Sequence, residues 1–182
     1  MRVRMKPILL DRDGVINFES RHYIKSPDEW TPIPGSIEAI AALSQAGYAP
    51  VVVTNQSGVG RGLYDIKTLD AIHEKMRQAV QAIGGTLSAI FFCPHTPDEF
   101  CLCRKPEPGL LYQARDYLQI DLTNVWMVGD SLRDLQVAER VGCQPVLVKT
   151  GDGMETLQDN QCPKQTLVFD DLQAVAQYLI QS

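Results

Sequence analysis

Short, almost wholly apolar runs alternate along this chain with longer stretches whose apolar residues recur every three or four positions. Runs of the first kind read as strands covered on both faces and stretches of the second as crossover helices, so the alternation predicts an α/β fold with a doubly wound parallel sheet. Five runs are clear: Ile8–Leu10, Ala49–Val53, Ala89–Phe92, Val125–Val128 and Val146–Val148, with Thr166–Phe169 a weaker sixth. Helices are expected at about Ile37–Gln45, behind Pro34-Gly35-Ser36 and closed by Gly47, and at Lys67–Ile83, closed by Gly84-Gly85. Three more fall at Gly109–Leu118, Leu132–Val141 and Leu172–Ile180, the last capped by Asp170 or Asp171. Cys93–Pro108, rich in Pro and Cys, follows neither period and reads as a loop between a strand and a helix.

In an open parallel sheet the reactive groups lie just past the carboxyl ends of the strands. Here those ends are polar. The first run is followed by Asp11-Arg12-Asp13-Gly14, the second by Thr54-Asn55-Gln56-Ser57, the third by the Cys93 loop that ends in Arg104-Lys105, and the fourth by Gly129-Asp130-Ser131-Leu132-Arg133-Asp134. Asp11 and Asp13 are two apart, so on an extended strand both carboxylates lean to one side and are placed to share a divalent cation. Asp130, with Asp134 beside it, adds charge from the neighbouring strand, while Gly14 and Gly129 let the backbone turn sharply. The ion such a set suits is Mg²⁺, its octahedron completed by substrate phosphate and water. The plainer reading, in which these acids cap helices, suits Asp130 better than it suits the Asp11-Arg12-Asp13 run.

The composition narrows the class. With 182 residues, 45% hydrophobic and 21% charged, the chain is expected to form a single domain over 1–182, and disorder and fibres are excluded. A net charge of -5 offers no basic footprint for nucleic acid or an anionic membrane surface. No apolar run approaches the ~20 residues of a membrane span, and the start Met1-Arg2-Val3-Arg4-Met5 lacks the apolar stretch of a secretory leader. The expectation is a cytoplasmic protein that works as a monomer.

In a reducing compartment, clustered Cys and His favour a metal over disulfides. Cys93, His95, Cys101 and Cys103 provide four soft ligands within eleven residues, enough to close a tetrahedral shell around structural Zn²⁺. This zinc loop, 93–103, runs directly into Arg104-Lys105, and a metal clip there fixes the backbone that aims both cations. His73 and Cys143 read as packing or surface residues, and Cys162 has no ligand set nearby. Arg61, in the Gly-rich stretch Ser57–Gly62, either reaches substrate or is an exposed side chain without a role.

Asp11-Arg12-Asp13-Gly14, Thr54-Asn55, Lys105 and Gly129-Asp130…Asp134 together resemble the four motifs of the haloacid dehalogenase superfamily of phosphatases, over about Ile8 to Thr150. The resemblance implies that Asp11 attacks phosphorus to form an aspartyl phosphate and that Asp13 protonates the leaving oxygen and then activates water. It places Thr54 and Lys105 on the transferred phosphoryl oxygens and Mg²⁺ at Asp11, Asp13 and Asp130. About twenty residues separate Gly14 from Pro34, too few for a cap domain, so an open site is expected.

The Cys-x-His…Cys-x-Cys loop is similar to that of two capless groups, one acting on heptose 1,7-bisphosphate and the other on histidinol phosphate. Asp11–Asn17, Glu19-Ser20, Tyr23-Ile24-Lys25, Thr54–Gly62 and Cys103–Gly109 resemble the first. That resemblance implies a small sugar phosphate as substrate, in the supply of ADP-heptose for lipopolysaccharide. It sets Glu19, Ser20, His22 and Tyr23 against the sugar, Asn55, Gln56 and Ser57 around the phosphate, and Arg104 at the distal end. Ser131, where some of that group carry Lys, is placed at the substrate as well. A receiver-type signalling module uses similar acids but accepts phosphate on an Asp after its third strand, where this chain has Cys93.

Overall fold

The structure is a computed structural model that describes residues 6–182; the leading residues 1–5, read above as lacking a secretory stretch, lie outside the described residues. Its centre is one parallel sheet of β1 (Lys6–Leu10), β2 (Tyr48–Asn55), β3 (Ala89–Cys93), β4 (Trp126–Gly129), β5 (Gln144–Val148) and β6 (Leu167–Phe169), in the order β3-β2-β1-β4-β5-β6. The helices are α1 (Ser36–Gln45), α2 (Ser57–Gly60), α3 (Ile66–Ala82), α4 (Gly109–Leu118), α5 (Leu132–Arg140), α6 (Gly153–Thr156) and α7 (Leu172–Gln181). The five expected strands and five expected helices are present within two residues at most ends. The weak sixth strand is β6, a three-residue edge whose first two residues are exposed, which is why its apolar signal is faint.

Alternate residues of the central strands feed two cores. Ile8 and Leu10 of β1, Val52 of β2 and Val128 of β4 face α1, α3 and α7, while Leu9, Val51, Val53 and Met127 face α4 and α5. Ile8, Leu9 and Leu10 are wholly buried, so truncating any of them to Ala is a loss of about 2–5 kcal/mol. The helices begin where the chain supplies acceptors: Asp65 takes the N–H of Thr68 at the start of α3, and Asp171, rather than Asp170, takes that of Ala174 at the start of α7. The four-residue α2 and α6 were not visible as periodic stretches. Thus the stretch after Thr54 is partly helical, and Arg61 caps α2 with its side chain exposed.

β1 lies between β2 and β4, so the chain winds away from it in both directions, and a crevice opens at the carboxyl ends of β1 and β4. The segment from Phe18 to Ile33 covers one rim with a single 3-10 turn and no inserted domain. Lys75 of α3 holds that segment down: its ammonium donates to the carbonyls of Pro27 (2.6 Å) and Trp30 (3.2 Å) and lies 5.8 Å from the Trp30 ring centre.

Candidate active site

Asp11, Asp130 and Asp134 each bring a carboxylate oxygen to one point in the crevice, all within 4.8 Å of one another. Asp11 follows β1 directly, and its N–H donates to Val128 O of β4 at 2.9 Å. Asp130 follows β4 and accepts the N–H of Asp152 at 2.9 Å. Asp134 stands in the first turn of α5, where its Oδ2 takes the Ser131 hydroxyl (2.6 Å) and N–H (3.1 Å) in a capping box. Gly129 leaves room for this arrangement, since a Cβ there would fall 2.1 Å from that of Asp134.

Among the described residues a single buried cation faces the cluster. Lys105 Nζ lies 2.9 Å from Asp11 Oδ1 and 2.6 Å from Asp134 Oδ1, and donates to Val53 O at 2.8 Å. Asp134 Oδ1 accepts no hydrogen bond of regular geometry, so its hold on Lys105 is an ion pair by distance. Three carboxylates against one ammonium leave an excess of negative charge in a buried place. Burial, and then Asp134 and Asp11, push the Asp130 carboxyl up to about 9. Burial and Asp134 push that of Asp11 to about 6 against the pull of Lys105. Clustered oxygen donors with uncompensated charge are the donor set of a hard divalent cation, so the residues present fit Mg²⁺.

The Asp13 carboxylate stands apart from this cluster rather than on the same side as that of Asp11. The chain leaves extended geometry at Arg12 and turns through Gly14 (φ +78°), so two-residue alternation fails just where the ligand count assumed it. A Cβ on Gly14 would also lie 1.9 Å from Asp130 Oδ2. Asp13 Oδ1 accepts from Arg12 Nη2 (2.9 Å), Arg12 Nε (3.1 Å) and Asn17 Nδ2 (2.8 Å), and Oδ2 from Gln56 Nε2 (2.7 Å). Burial alone would raise this carboxyl, but the Arg12 guanidinium and the Asn17 and Gln56 bonds outweigh it and hold it below the usual carboxylate range.

Thr54 is buried, with its hydroxyl beside Gln56 Nε2 at 3.0 Å. Asn55 pins the Lys105 backbone, accepting its N–H at 3.0 Å and donating to its carbonyl at 3.1 Å. Gln56, expected at the phosphate, is a buried hub that bonds Asp13 and Thr54 and accepts from Arg12 and Tyr64. Ser57 is buried at the start of α2, and Ser131 spends its hydroxyl on Asp134. On the rim, Glu19, Ser20 and His22 are exposed, and Tyr23 is half-buried with φ +63°. Partial burial, then Asp152 and Asp13, push Glu19 up to about 7.

The second cluster joins Cys93, His95, Cys101 and Cys103. Cys93 Sγ lies 3.5 Å from His95 Nδ1, 3.5 Å from Cys101 Sγ and 3.0 Å from Cys103 Sγ, and Cys103 Sγ lies 3.3 Å from His95 Nδ1 and 3.5 Å from Cys101 Sγ. A tetrahedron with ligands about 2.0–2.3 Å from its centre has edges of roughly 3.3–3.8 Å; the separations here match or fall slightly inside that range, so these free thiols and the imidazole fit Zn²⁺ with no open position. Burial pushes the Cys93 thiol up; for Cys101 the N–H groups of Arg104 and Cys103 outweigh burial and bring it down to about 7. Arg104, half-buried, donates to His95 O at 3.3 Å. The loop therefore ends between a metal corner and the Asn55 clamp, and Lys105 is aimed by both.

Sequence reasoning missed Arg12, one of the largest fully buried side chains, and it read His73 as a packing or surface residue. His73 is buried, but its Nε2 faces Arg12 Nη1 at 3.3 Å. Nothing in the spacing of those two residues signals the contact. Cys143 is buried, and among the described residues neither it nor Cys162 joins a metal-ligand group.

The HAD-hydrolase-like family matches residues 102–175. The D-glycero-beta-D-manno-heptose-1,7-bisphosphate 7-phosphatase of Pseudomonas aeruginosa is 55% identical over 174 residues, covering 96% of this chain and 97% of that protein. The protein of the same name from Escherichia coli K12 is 44% identical over 153 residues, 79% of each chain. The crystal structure of D,D-heptose 1,7-bisphosphate phosphatase from B. bronchiseptica, complexed with magnesium and phosphate, superposes with a TM-score of 0.95 at 53% identity, over 97% of this chain and 99% of that one. With its sheet, its acid cluster and these relatives in agreement, the chain belongs to the haloacid dehalogenase superfamily, in the family of the heptose-1,7-bisphosphate 7-phosphatases.

Proposed function

We propose that this protein removes the 7-phosphate of D-glycero-β-D-manno-heptose 1,7-bisphosphate through an aspartyl phosphate on Asp11. The observation that carries the chemistry is the junction of Asp11 with buried Lys105 inside a carboxylate cluster at the sheet crevice. The substrate comes from the names of the relatives above. Mg²⁺, when held by the Asp11–Asp130–Asp134 group, neutralises phosphate charge and orients it toward Asp11.

Asp11 Oδ attacks phosphorus, the bond to the sugar oxygen breaks, and Asp13 delivers a proton to that oxygen. The incoming phosphate opposes Arg12 and raises the proton affinity of Asp13 from its low resting value. Lys105 and the Thr54 hydroxyl hold the transferred oxygens. Water then attacks the acyl phosphate, Asp13 takes its proton, and inorganic phosphate leaves with Asp11 restored. Gln56 and Ser57 line this pocket from beneath, while Glu19, Ser20, His22 and Tyr23 meet the sugar from the rim and Arg104 faces the distal phosphate. The third strand ends in Cys93 and supplies no acceptor acid, which argues against a receiver. No helix of the described residues is long and apolar enough to cross a membrane. The proposal includes a cytoplasmic monomer that serves lipopolysaccharide precursor synthesis.

The test is kcat/KM under Mg²⁺ for heptose 1,7-bisphosphate, fructose 1,6-bisphosphate and histidinol phosphate. The heptose should lead the panel; histidinol phosphate in first place would overturn the assignment.

A further inference from the structure

Two residues of helix α3 reach the partners of Asp13. Lys75 clamps Trp30, whose indole N–H donates to Asn17 Oδ1 at 3.0 Å, and Asn17 Nδ2 in turn donates to Asp13. Two residues earlier, His73 meets the Arg12 guanidinium, which holds Asp13 from the other side.

The chemistry of that second contact is restrictive. A guanidinium has only donors, so the 3.3 Å approach of Arg12 Nη1 requires an unprotonated His73 Nε2 and the ring proton on Nδ1. Burial, with Arg12 and Arg77 nearby, pushes the imidazole down to about 3, and it is therefore neutral. Arg12 is 1% exposed, and its other polar nitrogens are committed: Nε to Asp13, Nη2 to Asp13 and Gln56. Nη1 has no other side-chain acceptor among the described residues. His73 thus adds a further anchor, on the remaining nitrogen, to the guanidinium that grips the Asp13 carboxylate.

We propose that His73 is a positioning residue for Asp13, acting through Arg12 by offering a neutral acceptor at the Nε2 position. This rests on the reading of Asp13 as the acid that protonates the leaving oxygen. A poor leaving group such as a sugar alkoxide needs that proton, whereas a nitrophenolate leaves without it. The quantity kcat/KM reports the steps up to formation of the aspartyl phosphate, so it isolates the acid role.

Two substitutions separate the proposal from a packing effect. Glutamine places a side-chain oxygen where Nε2 stands, and asparagine places one only where Nδ1 stands. His73→Asn should lower kcat/KM for heptose 1,7-bisphosphate by roughly 10- to 100-fold, as a catalytic group shifted by a fraction of an ångström does, while that for para-nitrophenyl phosphate falls far less. His73→Gln should keep most of both. Equal losses on the two substrates, no loss in His73→Asn, or no recovery in His73→Gln would overturn the proposal. If His73→Asn does not fold, His73→Met gives the same comparison against His73→Gln. Asp13→Asn run alongside separates the layers: a selective loss there without one in His73→Asn removes only the proposal, whereas an unselective loss in Asp13→Asn removes the acid reading beneath it.

Discussion

Replacing Lys105 by Met tests the electrostatics of the site most directly, because Met keeps the length of the stem and deletes only the charge. Lys105 is 2% exposed and faces Asp11, Asp134 and the Val53 carbonyl at 2.9, 2.6 and 2.8 Å. Without it, three carboxylates within 4.8 Å have no ammonium among them, and Val53 O has no side-chain donor. Removing one partner of a buried ion pair costs about 3–5 kcal/mol, and here one cation serves two pairs. The high proton affinity of Asp130 and Asp11 blunts the loss, since either acid neutralises itself by taking a proton. The expected fall in metal-free stability at neutral pH is therefore about 3 kcal/mol, read by urea unfolding, with phosphate release down by more than about 100-fold. Mg²⁺ should restore part of the stability, because it binds the folded carboxylates and not the unfolded chain. Asp134→Leu added to Lys105→Met should recover at least about 1 kcal/mol, as it removes one of the three buried carboxylates left without their ammonium. A metal-free loss below about 1 kcal/mol, or one that Asp134→Leu deepens, would refute the charge imbalance argued here.

Asp11→Asn should abolish turnover with the far-UV circular dichroism unchanged, because the amide keeps the shape and loses the nucleophile. The protein should carry one zinc per chain that survives dialysis against a weak chelator, and Cys103→Ser should lower zinc content, melting temperature and turnover together; full activity without zinc would contradict the loop's role. Arg104→Ala should depress kcat/KM for the bisphosphate far more than for an aryl phosphate, as a guanidinium fork needs a second anionic group to hold. Acid titration gives a fourth outcome. His73 is held at about 3 against 6.5, so below pH 6.5 the unfolded chain takes a proton the folded protein refuses, and stability falls as pH drops toward 3. In urea unfolding the His73→Gln variant should show a shallower fall, by up to about 1.4 kcal/mol per pH unit in that window.

Much of this architecture is written in local pattern. Strands such as Leu9-flanking β1 and Val51–Val53 of β2 are buried on both sheet faces, so they stand out as unbroken apolar runs, and Gly47 and Gly84 mark where helices stop. Strand ends are less legible: β2 continues through polar Thr54 and Asn55, whose side chains belong to the crevice rather than a core. Motif spacing located Asp11, Asp130, Lys105 and the four soft ligands because each sits at a strand tip or in one short loop. The direction of Asp13 was not legible, since it depends on a backbone turn that spacing does not encode. Nor were the roles of Gln56, Ser131 and the Arg12–His73 contact, the last joining residues 61 positions apart.

The central position of β1 has a consequence for the birth of the protein. β1 precedes the other described strands, and one of its edges pairs with β2, but the other waits for β4: Ile8 faces Trp126 across that seam. At about 5–20 residues per second, a ribosome needs on the order of ten seconds to supply the missing strand. During that interval a nascent chain presents an unpaired edge flanked by Ile8, Leu9 and Leu10, the kind of surface on which strands from other chains add. The crevice that holds the catalytic acids is made from this same late seam, so Asp11 and Asp130 meet only after β4 has emerged.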